Sequence, residues 1–212
     1  EEALCLPHMD DVLQDIDRRN LFVYRLADGY RYQDLFRATL LQIFKDRDVT
    51  AYRHLQRCVA KWQAQNGRYG ESFWHFLEAD DVPQAEATLK PHVHDYYREG
   101  RWQLLIQANE ATIDYHHNLP ELHLVNSMMQ LEYDELHTSQ ANLERARIGY
   151  DQENDRDGII KADNHQAFIW QRTERYDEAI TLLNHVLARK AVPDNLKGWA
   201  LRIRGNCRAY LE

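Results

Sequence analysis

The chain has 212 residues, 44% hydrophobic and 28% charged, with a formal net charge of -8; this is the composition of a folded protein with one good core or one continuous repeat core. The acidic balance argues against a nucleic-acid surface, because non-specific affinity comes mostly from Lys and Arg neutralising phosphates. No run approaches the roughly 18 apolar residues of a membrane span, the acidic start is wrong for a secretory leader, and Cys5, Cys58 and Cys207 give neither a disulfide framework nor zinc spacing, so the expected setting is cytoplasmic.

In chain order, Val12, Leu13 and Ile16 set one face of a first helix that closes at Asn20. Leu21 to Tyr24 reads as a strand. Ala27-Asp28-Gly29 reads as a turn with Gly29 at positive φ, and Tyr30-Arg31-Tyr32 as the returning strand. Leu35, Phe36, Leu40, Ile43 and Phe44 then predict an amphipathic helix of about three turns, with Phe22, Tyr30 and Leu35 packed together. Residues 1–45 thus read as the end of a winged-helix module with a β-hairpin wing, with too little chain before it to be complete. Arg18 and Arg19 sit among Asp10, Asp11, Asp15, Asp17 and Asp28, so they make no positive patch.

Only 8 Gly and 5 Pro punctuate the chain, and Ala, Leu, Gln, Glu and Arg dominate, which predicts an almost entirely helical protein. The expected fold is all-α: a tetratricopeptide-like helical repeat array, or α-solenoid, after the hairpin. A small residue, an aromatic and a second small residue mark the turns of such a unit, because helices cross closely only where side chains are small. Gly67, Tyr69, Ser72, Phe76 and Ala79 form one unit, and Gly100, Trp102 and Leu105 another. Leu136, Ser139, Leu143 and Ala146 form a weaker third, and Glu174, Tyr176, Ala179, Leu183 and Leu187 a fourth. Asp81, Ala85 and Leu89 begin an extra helix. The spacings from Ser72 to Leu105, Ser139 and Ala179 are 33, 34 and 40; the polar run from Asp151 to Gly158 reads as an enlarged loop that absorbs the excess. Residues 46–115 are expected as a helical arm and first repeats, and 116–212 as further repeats continuing beyond this chain. The last helix supports that: Trp199, Ile203, Cys207 and Tyr210 form one apolar stripe with no cap after it.

Chemistry-bearing patterns are sparse. His92 and His94, and His116, His117 and His123, lack the i, i+4 spacing that metal ligation on a helix favours. The Asp151 to Gly158 run lacks the glycine and the glutamate of a calcium loop. No phosphate-cradling glycine motif, nucleophile elbow or acid-base pair stands out, so neither catalysis nor a cofactor is expected of this segment. A groove lined by the first helix of each pair would present Asn126, Gln130 and Tyr133 from one repeat and Asn164, Phe168 and Gln171 from the next. These six are the candidate ligand- or partner-binding residues.

The run N-L-F-V-x-x-L-x-D-G-Y-R-Y-x-D-L-F, Asn20 to Phe36, resembles the junction between winged helix and helical arm in the MalT-like large ATP-binding regulators, a bacterial branch of the STAND NTPases. Gln33 stands where that family usually has His. Y-R-x-L-x-R-x-V-A-x-W, Tyr52 to Trp62, and G-R-Y-x-E-S-F-W-H-F-L-E-A-D-D, Gly67 to Asp81, continue the resemblance, which thins into generic repeats beyond about Gly100. The resemblance implies a signal-sensing segment of a LuxR-type transcriptional activator, with ATP bound by an NTPase module preceding residue 1. Implied partners are a small-molecule or peptide inducer or a regulatory protein, that NTPase module, and a second copy of the chain, with no direct contact to nucleic acid or membrane. The alternative is a stand-alone tetratricopeptide adaptor that binds a partner protein. A small helical enzyme or metal protein built on the histidines is the third, against which their spacing argues.

Overall fold

A computed structural model describes residues 9–19, 22–26, 29–114 and 119–211. Cys5, Asn20, Leu21, Ala27, Asp28, His116 and His117 lie outside the described residues. The described chain is mostly helical with one two-stranded antiparallel sheet, and it divides after Leu89 into two compact units. Among the described residues no helix is long and apolar enough to cross a membrane.

The first unit contains α1 (Met9–Arg18), β1 (Val23–Leu26), β2 (Gly29–Tyr32), α2 (Asp34–Arg47), α3 (Val49–Gln65), α4 (Tyr69–Glu78) and α5 (Val82–Leu89). The sheet pairs Val23 with Tyr32 and Leu26 with Gly29, so pairing starts two residues later than the β-rich run from Leu21 suggests. Phe22 has φ 57, and its carbonyl accepts from Gln33 N at 2.8 Å. The expected packing of Phe22 and Tyr30 on Leu35 needs correction. Because α2 begins at Asp34, Leu35 points outward, 83% exposed, and the next residue takes its place: Phe36 meets Phe22 at 4.8 Å and Tyr32 at 5.9 Å between ring centroids. The core of this unit lies in α3 to α5, around Ala60, Phe73, Phe76 and Leu89. Asp48 caps α3 by accepting from Ala51 N at 2.9 Å, and Arg53 and Arg57 pair with Asp80 and Asp81 at 2.6 and 3.1 Å across the turn after α4.

The second unit contains α6 (Val93–Arg98), α7 (Trp102–Asp114), α8 (Pro120–Glu132), α9 (Leu136–Gln152), α10 (Arg156–Arg172), α11 (Tyr176–Leu187) and α12 (Asp194–Leu211). Consecutive helices pack as α6 on α7, α8 on α9, α10 on α11 and α11 on α12, while α6 meets α8, α8 meets α10 and α10 meets α12.

Among the described residues one turn recurs at six helix ends. Gly67, Asp80, Gly100, Asp134, Asn154 and Glu174 all take left-handed φ between 56 and 74. In each case the following amide, Arg68, Asp81, Arg101, Glu135, Asp155 or Arg175, donates to the carbonyl five residues back, at 2.8 to 2.9 Å. This is the Schellman closure of a helix, and the next helix starts one residue later. A second regularity accompanies it. The pairs Ala60 and Ser72, Val93 and Leu105, Ser127 and Ser139, and Ala167 and Ala179 all stand twelve residues apart around such a turn, and all eight are buried. Ser72 and Ser139 donate to the carbonyls of Ala60 and Ser127 at 2.8 and 2.9 Å. In three of the four pairs both side chains are small, Ala or Ser, which lets the helices approach closely.

The run from Asp151 to Gly158 is not an enlarged loop. α9 continues to Gln152, Asn154 supplies the left-handed residue, and Asp155 caps α10 by accepting from Gly158 N at 2.9 Å. The extra residues lengthen α9 and α10, each of 17 residues, instead of their connection. The stripe on α12 is also largely covered: Ile203 and Cys207 are buried with Ala179, Leu183 and Val186, while Tyr210 stays exposed and stacks on Tyr176 at 5.2 Å.

Two glycine substitutions separate conformational from steric cost. A methyl on Gly67 meets nothing within 4 Å, yet φ is 74, so Gly67→Ala should cost about 1 kcal/mol from backbone strain alone. On Gly158 it would sit 2.1 Å from the buried Tyr150 ring. Gly158→Ala should therefore cost about 1–3 kcal/mol by overpacking although alanine is the better helix former. Urea midpoints for both variants check this, and an unchanged midpoint for Gly158→Ala would contradict the close approach of α9 and α10.

Candidate functional site

The most unusual chemistry of the second unit gathers on Glu121, in the first turn of α8. Its side chain is only 8% exposed, and a bare carboxylate in such a place is costly. Three neighbouring helices supply donors. His94 from α6 approaches Oε1 at 2.5 Å, Lys161 from α10 donates to the same oxygen at 2.7 Å, and the Tyr150 hydroxyl from α9 donates to Oε2. Burial on its own would raise the Glu121 pKa; the hydrogen bonds from His94, Lys161 and Tyr150 outweigh it and hold the group at about 2. An ionised carboxylate only accepts, so His94 presents Nε2–H to it. Burial first, and then the neighbouring carboxylate, push the Tyr150 hydroxyl far up, so it remains a donor.

Above this cluster lies a cleft of about 310 Å³ whose lining comes from α6, α8, α10 and α12: His94, Leu124, Met128, Lys161, Asn195, Leu196 and Trp199. Glu121, Leu124 and Met128 stand at i, i+3 and i+7 and so share one stripe of α8. The side chains of Lys161 and His94 remain 28% and 41% exposed. The cleft therefore has a polar floor with two donors and walls that are mainly apolar.

The six residues picked from sequence lie on the expected helices, but mostly on other faces. Asn126 is buried and donates to the carbonyls of Leu105 and Leu122 at 3.3 and 2.9 Å; Asn164 is buried and donates to the Leu196 carbonyl at 2.9 Å. Gln130 accepts from Asn142 at 2.8 Å, and Tyr133 lies edge-on to Trp102 at 5.9 Å. Phe168 packs into two core clusters, and Gln171 is half-buried. None of the six lines the cleft over Glu121.

The chain matches no protein-family model, no curated protein and no solved structure. Function must therefore be argued from side chains. A Ser–His contact does exist, Ser127 Oγ to His165 Nε2 at 3.0 Å, but both residues are buried to within 1%, and no substrate reaches them. Among the described residues no group of three His, Cys, Asp or Glu side chains is placed to hold a metal ion; His92 lies against Tyr96 at 6.5 Å, and His94 is taken by Glu121. Sequence reasoning missed the cleft because Glu121 looks like an ordinary first-turn acid and Lys161 lies forty residues away. The usable signal was a charge at the head of the apolar stripe Leu124–Met128.

Two outcomes test this account. Glu121→Gln leaves Lys161 without its counter-charge and should cost about 2 kcal/mol, the range of a hydrogen bond to a charged group, read as a fall in urea midpoint at neutral pH. The second outcome concerns pH. Burial lowers both His123 and His165 from 6.5 to about 4, with Arg145 adding to the effect at His123. A depressed folded pKa means that the unfolded chain binds the proton first. This contribution to stability is complete above pH 6.5 and is lost as pH falls toward about 4. The thermal midpoint should fall across that window, less steeply in His165→Gln; an equally steep fall in the variant would exclude His165 as a source.

Proposed function

We propose that this chain is a signal-sensing segment of a MalT-like transcriptional activator, in which a tetratricopeptide-like array takes up an inducer and relays its binding to an NTPase module on the same parent protein. The observation that carries the reading is the cleft across α6, α8, α10 and α12, of which α6, α8 and α10 each open a helix pair built on one repeated turn. Four hairpins with identical offsets are the local signature of a repeat array, and such arrays bind on the face shared by equivalent helices. The hairpin and arm motifs from Asn20 to Asp81 support the regulator assignment. An inducer that prefers one arrangement of these helices shifts the population toward it, and only that difference in affinity drives the response.

The experiment is a reporter assay with the intact regulator carrying Met128→Ala and Trp199→Ala, two cleft substitutions away from the Glu121 cluster. Inducer-dependent transcription should fall at least 10-fold with ATP binding retained, a loss of about 1.4 kcal/mol or more in inducer binding. An unaltered response would remove the cleft from the sensor. A parent gene with no NTPase module beside residues 1–212 would remove the regulator assignment itself.

A further inference from the structure

The cleft over Glu121 also specifies the kind of molecule it takes. This inference rests on the reading of that cleft as the sensor's binding groove. Its polar floor is rich in donors and poor in acceptors. No acidic side chain is among the lining residues; Glu121 lies behind His94 and Lys161, its Oε1 accepting from both and its Oε2 from Tyr150. With its side chain only 8% exposed and three donors already on it, Glu121 offers little to a cationic ligand. Lys161 is differently placed. An ammonium has three donors, and one reaches Glu121 at 2.7 Å. With 28% of the side chain exposed, the others are available toward the cleft. His94, 41% exposed, flanks it, and Asn195 offers an amide at the rim.

The walls carry the second half of the argument. Leu124, Met128, Leu196 and Trp199 present aliphatic, thioether and indole surface and no charge. A polyhydroxylated ligand needs many paired donors and acceptors, and four of the seven lining residues have none to offer beyond the indole N–H. A volume of about 310 Å³ is at the low end for small-molecule sites. We infer that the cleft binds a small monocarboxylate with an aromatic or aliphatic body, the carboxylate on Lys161 and the body against Trp199 and Met128. Charge-assisted N–H···O bonds at a partly desolvated ammonium make the head group the source of selectivity.

The test is calorimetric titration of the full 212-residue chain with phenylacetate, 3-phenylpropionate and hexanoate, each beside its uncharged amide at fixed ionic strength. At least one carboxylate should bind 10-fold or more tightly than its amide. Lys161→Gln should remove that preference, Lys161→Arg should retain much of it, and Trp199→Ala should weaken acid and amide alike. If Lys161→Gln perturbs folding by exposing Glu121, the acid-to-amide ratio of the unaltered chain and the Trp199→Ala variant still decide the matter. Amides binding as well as acids, or no acid in the series binding, would overturn the inference. Amides seated in the cleft would leave the sensor reading intact. Carboxylate binding in a parent whose transcription ignores cleft substitutions would keep this inference and discard the sensor.

Discussion

A buried carboxylate that must be neutralised sets the arrangement of the second unit. Glu121 could not occupy its place on α8 unless α6, α9 and α10 each brought a donor, and they do so through His94, Tyr150 and Lys161. The net contribution of such a cluster to stability is small or unfavourable beside a well-packed apolar alternative. Its effect is on geometry, since each of the three helices has one rotation and one height at which its donor reaches the carboxylate. The same requirement brings Lys161 and His94 to the floor of the cleft. The chemistry offered to a ligand is thus a by-product of satisfying Glu121, and the first-turn position of the carboxylate adds the favourable end of the α8 dipole.

The turns act at a lower level. Six helices end on a left-handed residue closed by the same hydrogen bond, but only Gly67 and Gly100 take that conformation without strain. Asp80, Asp134, Asn154 and Glu174 pay a conformational penalty of roughly 1 kcal/mol each, lower for Asp and Asn because these visit the region more readily. The bond to the carbonyl five residues back offsets it at all four, and burial of the flanking small pair adds to this at Asp134 and Glu174. Once the turn is fixed, residues twelve apart are forced together. Ala60, Ser127 and Ala167 then face Ser72, Ser139 and Ala179, while Val93 and Leu105 fill the same positions around Gly100 with larger side chains.

This explains what could be read from the sequence. Helical character, the hairpin, and helix starts at Tyr69, Trp102, Leu136 and Tyr176 follow from periodicity and turn residues, which are local. The helix pair around Asp134 is faint in the sequence because Asp134 and Leu136 stand where a glycine and an aromatic are expected, yet the backbone bond does not depend on either side chain. The run from Asp151 to Gly158 misled because its polarity reads as loop, whereas Asn154 and Asp155 are a helix end and a cap. The candidate groove residues lie on α8 and α10, which also contribute to the cleft, but none of the six lines it, because the face a helix turns to its neighbours is not local information. On α8, Asn126 is two residues from Leu124 and about 200° around the helix, and only the donors brought by other helices show which of the two faces the cleft.

A polar seam of Ser127, Ser139 and His165 ties the register of α8, α9 and α10. Ser139 donates its hydroxyl proton to the Ser127 carbonyl at 2.9 Å, so its oxygen is free to accept from Ser127 Oγ at 3.0 Å. Ser127 has then used its proton, and His165 must donate from Nε2 to reach it at 3.0 Å. This order leaves Nδ1 as a bare lone pair with no partner, a smaller cost than an unpaired N–H would be. Ser127 occupies the position held by Ala60 and Ala167 in other hairpins, where a methyl packs without polar obligations. Sliding α9 or α10 by one turn would strand the hydroxyls and the imidazole in an apolar interior, at about 1–3 kcal/mol for each buried group left unsatisfied. An alanine seam, like that between α10 and α11, incurs no such cost. The helices that carry Glu121, Tyr150 and Lys161 are therefore the ones whose relative heights are most tightly specified, as a site built from donors on different helices requires.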